Sequence, residues 1–408
     1  MKLKKAKVPL ILLFLPFLFF AQLGSISCVN PLSQNRTFIP WDTTFTISGI
    51  NFPNDTIFSR SIVNLGSNYR LKSFIEKCQN TDTLRIGFLG GSITAGAISS
   101  RQEYRFSTRF CEALKKSFPN LKNVVELNAG IGATTSRFGC SRLKTDLIDR
   151  KPDIIFVDYA VNDWGMGDTQ YIGSSIEGVI RQCLSFKNDV PLVMLFFAKG
   201  DGTNVQDIQA MVGSHYSLPM ISYRDAIWPL IQNGKTDWGT FFHDDPHPND
   251  NGHLVAASLL YSLIKKEISQ STNSKDVLPT PIFSDIYQQA SILTQSDTSI
   301  KICNSTWTLQ SREGGRLFFE SSHSGDSLIL KTTCREITLG IHMQSNVSSN
   351  INVVIDSGIM DTLFSNNCSF EYCKFNRLYI TATNTLRTIR IYHKDSLPFT
   401  IDYILYAN

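Results

Sequence analysis

The sequence predicts an α/β unit built on a mostly parallel sheet, followed by a smaller all-β unit. Three observations carry that prediction. From residue 65 to 271, short apolar runs alternate with segments of helical period; such alternation implies right-handed crossovers and a sheet covered on both faces. One run ends in a glycine-rich turn bearing a serine, Leu84-Arg-Ile-Gly-Phe-Leu-Gly-Gly-Ser-Ile-Thr-Ala-Gly96. Beyond residue 280 the hydrophobic period falls to two, as in antiparallel strands with one face buried.

The chain has 408 residues, long for a single core. It divides into a leader (1–28), an extended segment (29–64), the α/β unit (65–271), a polar linker (272–280) and the β unit (281–408). The composition, 42% hydrophobic and 18% charged, suits a globular protein. The net charge of +4 comes partly from Lys2, Lys4, Lys5 and Lys7. No basic stripe interleaved with aromatics is present, which excludes nucleic acid as the expected partner.

Residues 1–28 have the order of an export signal: lysines, an apolar run from Val8 to Phe20, then small residues up to Cys28. The run is short for a membrane span. Cleavage, lipid attachment at Cys28 with membrane tethering, and an uncleaved anchor all remain open; each places the protein outside the cytoplasm. Nine cysteines occur without a CxxC pair or a metal-like spacing to histidine, so zinc is not indicated. Cys368 and Cys373 are spaced for a hairpin disulfide or for two separate thiols.

Taken in order, Thr37–Asn64 is β-flavoured and broken by Pro40 and Pro53, fit for an edge strand or for packing on the second unit. Ser67–Cys78 places Leu71, Phe74, Ile75 and Cys78 on one helical face. The strand before Ser92 follows, then a helix over about Tyr104–Phe118. Strands are expected at Val124–Ala129, Asp153–Val161, Val190–Lys199 and Pro219–Tyr223. Helices are expected at Phe138–Asp149, Gln170–Phe186, Val205–Tyr216 and Asn251–Ile268. The β unit shows seven period-two runs, at 316–320, 327–331, 337–341, 351–355, 378–382, 388–392 and 399–405, which suggest a sandwich.

Ser92 stands where a parallel strand must end, the edge at which open α/β sheets place their chemistry. A serine nucleophile needs a base, a group to orient that base, and donors for an oxyanion. Asp244 and His247 lie three apart in the turn-rich loop Phe242-His-Asp-Asp-Pro-His-Pro-Asn-Asp-Asn-Gly-His253. That spacing lets the carboxylate fold back onto Nδ1–H and leave Nε2 for the serine. Taken alone, the loop reads equally as a helix cap. Gly132 follows the second strand in Asn128-Ala-Gly-Ile-Gly-Ala-Thr134, and Asn162 follows the third; each offers an N–H donor at the same sheet edge. Near them, Asp245 is assigned to capping or solvent, Asp163 to bracing its loop, and His243 and His253 to the surface or a cap. Cys140 is read as a buried thiol. Trp164 either stacks on a sugar or packs its own loop.

These blocks resemble the SGNH/GDSL hydrolase superfamily, which carries Ser, Gly, Asn and His in four separated blocks in this order. Ser92 stands in GGSIT, Gly132 in NAGIGATT, Asn162 in AVND and His247 in DDPHPNDNGH. The resemblance covers roughly Ser67–Ile268 and departs from the common pattern at Gly91 and Ala160. It implies a flavodoxin-like three-layer sandwich and an esterase with Ser92 as nucleophile, His247 as base and Asp244 as its partner. Ser92, Gly132 and Asn162 would form the oxyanion hole, with no metal or organic cofactor. The implied substrate is an ester, most simply an O-acetyl group on carbohydrate. A lipase or thioesterase, or an idle glycan-binding protein, are the other readings. The literal string Gly325-Asp-Ser-Leu328 opens a period-two strand and reads as a turn, not a nucleophile.

Overall fold

The structure, a computed structural model, describes residues 38–408 apart from 39, 41–43, 186–189, 276, 313–314, 367 and 369–370. The expected leader and Cys28 lie outside the described residues. Phe45–Ile47 (β1) and Ile50–Phe52 (β2) form a hairpin. Its turn residues Ser48 and Gly49 have φ of 48° and 74°, the positive values that match a two-residue turn to the twist of its strands. A short helix, Asp55–Ser61 (α1), follows; the Asn54 side chain caps it by accepting from the Ile57 N–H at 3.1 Å. Ile62–Asn64 (β3) then pairs antiparallel with the strand at 220–222. This segment therefore supplies an edge strand, and Ile47, Phe52 and Ile57 pack into the α/β core rather than onto the second unit.

The α/β unit continues through Tyr69–Asn80 (α2), Thr83–Gly90 (β4), Ser92–Ala95 (α3), Phe106–Ser117 (α4), Asn123–Gly130 (β5), Ser136–Asp146 (α5) and Ile154–Asp158 (β6). Thr169–Leu184 (α6), Leu192–Phe196 (β7), Gln206–His215 (α7), Met220–Ser222 (β8), Tyr223–Gln232 (α8) and Asp250–Ile268 (α9) complete it. The sheet order is β3-β8-β7-β6-β4-β5, parallel except for β3. Without that edge strand the order is flavodoxin-like. The chain steps outward from β4 to β5 and then returns past β4 to β6. A crevice therefore opens between β4 and β6 at their carboxyl ends, the switch point at which such sheets bind ligands.

Both faces of the sheet are buried, which explains why its strands read as continuous apolar runs. Leu84, Ile86, Phe88, Ile154, Phe156, Val193 and Leu195 point to the side covered by α2, α4, α8 and α9. Leu89, Ile155, Val157, Leu192, Met194 and Phe196 point to the side covered by α5, α6 and α7. Three helices were not expected from the sequence, α1, α3 and α8; α3 is a four-residue helix where a tight turn was expected. α1 is too short to show a period, and α8 carries Pro229 within it.

The β unit is one antiparallel sheet system: Ala290–Ile292 (β9), Ile300–Ser305 (β10), Thr308–Ser311 (β11), Leu317–Ser321 (β12), Ser327–Met343 (β13), Ser349–Ile355 (β14), Ile359–Ser365 (β15), Tyr372–His393 (β16) and Phe399–Ala407 (β17). Four of the expected short strands merge in pairs. The runs at 327–331 and 337–341 are halves of β13, and those at 378–382 and 388–392 are halves of β16. β13 pairs with β10 through its first half and with β17 through its second. Register shifts between Cys334 and Glu336, and between Ile337 and Thr338, mark bulges at the changeover; a bulge bends a strand without a turn. The two layers so formed enclose Leu328, Leu330, Leu339, Ile351, Ile389, Phe399 and Ile401. Cys368 and Cys373 are free thiols. In the Gly325–Leu328 string, Gly325 has φ 92° and the Ser327 N–H donates to Thr306 Oγ1 at 2.9 Å, the geometry of a turn entering β13.

The two units share a continuous seam. Ile286, Tyr287, Ala290 and Ala407 belong to the α/β core. Just past the linker, the backbone N–H groups of Ile282, Phe283 and Ser284 donate to the Glu177 carboxylate of α6, each at 2.8 Å, and the Tyr216 hydroxyl donates at 2.7 Å. Arg137 of α5 and Glu336 of β13 form an ion pair in which both side chains are fully buried. Arg137 also lies over the Tyr287 ring, 4.5 Å from its centroid, and Phe138 stacks on Phe375 at 4.8 Å.

Candidate active site

Ser92 is the first residue of α3, immediately past the end of β4. Its N–H belongs to the first turn of that helix and has no intrahelical acceptor. Its hydroxyl lies 2.8 Å from His247 Nε2. On the other side of the imidazole, Nδ1 is 2.7 Å from Asp244 Oδ1, which also accepts the His247 backbone N–H at 3.0 Å. With the Nδ1 proton directed at a carboxylate, Nε2 is left as the acceptor facing the serine.

The loop holding this pair is fixed at several points. Asn249, not Asp244, caps α9, accepting from the N–H groups of Asn251 and Gly252. The Trp238 indole N–H donates to the Asp244 carbonyl at 3.0 Å, and its ring stacks on Phe242 at 3.7 Å. Asp245 turns away from the imidazole and accepts the Gly200 N–H at 2.8 Å, tying the loop to the segment after β7. The neighbouring aspartates therefore have different work. Asp244→Asn is expected to lower kcat on an aryl acetate by about 10³- to 10⁴-fold. Asp245→Ala, which loses only a loop anchor, is expected to cost about tenfold or less. Equal losses in the two variants would show that the assignment is wrong.

Gly132 sits beside Ser92: a Cβ built on it would lie 3.7 Å from the Ser92 Cβ. Asn162 opens a 3₁₀ turn (Asn162–Met166) just past β6. Its side-chain amide lies so close to Gly91 that a Cβ there would be 2.4 to 2.7 Å from the amide atoms. That contact is a physical reason for glycine in GGSIT, where many members of the resembled family carry aspartate. Ala160 is fully buried and its methyl group fills part of the core. Trp164 is 49% exposed, with Lys199 Nζ 3.8 Å from the ring centroid, so it is not a tryptophan packed inside its loop.

Behind the site, Asp163 is fully buried and accepts the Ser136 N–H and the Gln209 side-chain amide, each at 2.8 Å. Burial pushes its carboxyl up to about 7, against the pull of these hydrogen bonds. It thus holds the start of α5 and α7 against the Asn162 turn. His253 is not at the surface as expected but fully buried, stacked near Phe106 and accepting the Phe106 N–H on Nδ1. Burial pushes its pKa down to about 4, so it is neutral at pH 7. His243 is exposed, and its N–H closes the loop on the His247 carbonyl at 2.9 Å. Cys140 is buried, and burial raises its thiol to about 11, which removes it as a nucleophile.

Sequence reasoning missed Trp238 and Asp158. Trp238 had a faint signal, an aromatic pair with Phe242 just ahead of the histidine loop. Asp158 ends the apolar run of β6; it is 2% exposed and accepts the Thr94 hydroxyl at 3.1 Å. Burial pushes its carboxyl up to about 7, with the Thr94 hydrogen bond opposing and Asp163 adding to the rise.

A flavodoxin-like sheet with a serine turn at its switch point and a histidine loop before the last helix defines an ester hydrolase of the SGNH type. Residues 88–255 match the GDSL-like lipase/acylhydrolase family, so this part of the chain is a GDSL-like acylhydrolase domain. No curated protein matches the chain in sequence. Among solved structures, the chain resembles a two-domain esterase, CEX, active on acetylated mannans. The two are 24% identical, with a TM-score of 0.79 over 86% of this chain and 98% of that one. A crystal of the same esterase grown with mannopentaose matches over the same shares, at 24% identity and a TM-score of 0.78. The likeness extends across both units and establishes the shared two-unit fold.

Proposed function

We propose that this protein is an exported serine esterase that removes O-acyl groups, O-acetyl foremost, from carbohydrate. The carrying observation is the contact chain from Ser92 Oγ through His247 to Asp244, with steps of 2.8 and 2.7 Å. His247 Nε2 takes the serine proton as Oγ attacks the ester carbonyl, and Asp244 stabilises the imidazolium that forms. The N–H groups of Ser92 and Gly132 and the Asn162 amide are the donors for the oxyanion; one such donor is worth about 3 to 4 kcal/mol. Collapse of the tetrahedral intermediate breaks the ester C–O bond, and His247 returns the proton to the departing sugar oxygen. Water, deprotonated by the same imidazole, then attacks the acyl-enzyme and releases the carboxylic acid and free Ser92.

Three features support the carbohydrate reading. Trp164, half exposed beside Asn162, offers an aromatic surface of the kind sugars stack on. The two-unit fold is shared with an esterase active on acetylated mannans. The lysine-led apolar leader suits a protein that meets polysaccharide outside the cytoplasm. Mass spectrometry of acyl release from a panel of acetylated oligosaccharides, run beside long-chain aryl esters, tests it. Acetate release from the glycans is expected, and a preference for long acyl chains would favour a lipase instead. Trp164→Ala is expected to raise KM for the best glycan about tenfold, the worth of one aromatic contact. KM for an aryl acetate should stay unchanged; a parallel rise for both substrates would remove the stacking role.

A further inference from the structure

The residue two places after the nucleophile occupies an unusual seat. Thr94 is 1% exposed and sits in the crevice between the strand ends. Its hydroxyl donates to Asp158 Oδ2 at the end of β6, at 3.1 Å. Its carbonyl accepts from the Asn128 side-chain amide of β5, at 2.7 Å. Asn128 is itself fixed, because its Oδ1 accepts the Gly130 N–H at 2.9 Å. The backbone leaves no slack around this seat. A Cβ on Gly90 would lie 2.2 Å from Thr94 Oγ1, and one on Gly130 would lie 2.2 Å from the Ala95 nitrogen. Only glycine at both positions lets the turn come down this far between β4 and β5.

Each tether runs toward an oxyanion donor. β6 leads from Asp158 to Asn162, four residues on, and β5 leads from Asn128 to Gly132, also four residues on. One residue, by its side-chain hydroxyl and its main-chain carbonyl, thus joins the nucleophile turn to both strands whose following loops carry the other donors. We propose that Thr94 is a positioning residue, holding Ser92 in register with Gly132 and Asn162 through its paired tethers to Asp158 and Asn128. The inference rests on the acyl-transfer reading of Ser92. Loss of the hydroxyl would not touch the substrate. It would let α3 shift against the donors, and errors of an ångström in such geometry lower the chemical step far more than binding.

The test uses the full chain and two readouts: steady-state hydrolysis of an aryl acetate, and the rate at which an aryl phosphonate labels Ser92. Thr94→Val keeps the shape of the side chain and removes the hydroxyl. It is expected to lower kcat and the labelling rate about tenfold or more, with KM within about twofold. Thr94→Ser, which restores the hydroxyl, is expected to recover both rates to within about threefold of the wild type. Asn128→Ala cuts the other tether at a half-buried position and is expected to slow both rates about fivefold, so it decides the question if Thr94→Val does not fold. Wild-type rates in folded Thr94→Val, or in Asn128→Ala should the valine variant not fold, would overturn the proposal, as would a serine variant no faster than the valine one. A wild-type protein that is not labelled, or a Ser92→Ala variant labelled equally fast, removes the parent reading and this inference with it. A labelled wild type with an equally labelled Thr94→Val removes the inference alone.

Discussion

Ser92→Ala is expected to lower kcat for aryl acetate hydrolysis by about 10⁶-fold while leaving the fold intact. The side chain is half-buried at the start of a four-residue helix, and its hydroxyl lies against His247 Nε2. Alanine removes the proposed nucleophile without adding volume, so neither the strand end nor the seat of α3 changes. The proposed oxyanion donors remain, and in comparable serine hydrolases such donors and binding still give about 10³- to 10⁴-fold over water. The measurement is turnover with the residual rate separated from trace wild-type enzyme by phosphonate titration. A loss of less than about a hundredfold would show that ester cleavage does not pass through this serine. Melting curves for the two proteins should coincide.

The largest expected effect on stability lies away from the site. Glu336→Leu is expected to destabilise the protein by about 3 to 5 kcal/mol, because it leaves the Arg137 guanidinium charged and unpaired in a fully buried position. On a domain of this size that corresponds to a fall in melting temperature on the order of 10 °C. The paired variant Arg137→Met with Glu336→Leu, which removes both charges, is expected to recover most of the loss, since well-packed apolar replacements of buried pairs are often neutral or better. Arg137 lies one residue past Ser136, whose N–H is held by Asp163 beside Asn162. The single variant should therefore also slow hydrolysis. A melting temperature unchanged by Glu336→Leu would mean that the seam carries no stability. A double variant as unstable as the single one would mean that the pair acts by something other than mutual neutralisation.

Much of the α/β unit was legible because its strands are buried on both faces. Leu84–Leu89, Ile154–Val157 and Leu192–Phe196 read as apolar runs, and the helices between them carry one apolar face each. What misled was chemistry that cuts across the hydrophobic pattern. Pro229 hid α8. In the β unit, bulges around Arg335 let β13 bend without a turn residue, so one strand read as two. The site showed the same division. Ser92, Asp244 and His247 could be paired from local spacing and block order, because a carboxylate and an imidazole three apart in a loop have a known way to meet. His253 could not be placed, since nothing in its neighbours says that a helix start will be roofed by Phe106. Asp158 and Thr94 were equally silent. A lone acid at the end of an apolar run gives no sign of whether its partner is water or a threonine on the next turn.

The grip of Glu177 on the three amides after the linker changes what that linker is. A stretch rich in Ser, Thr, Asn and Lys invites the image of a tether that lets one module swing from another. Here it is held along its length, by Asn68 at Asn273, Arg181 at Pro279 and His215 at Thr280, and pinned again immediately beyond its end, so motion of the β unit must pull three amides off a buried carboxylate. The two units will answer heat and denaturant as one body, and evolution cannot exchange the second unit for another without also replacing the three-residue plug that fills the socket of the first.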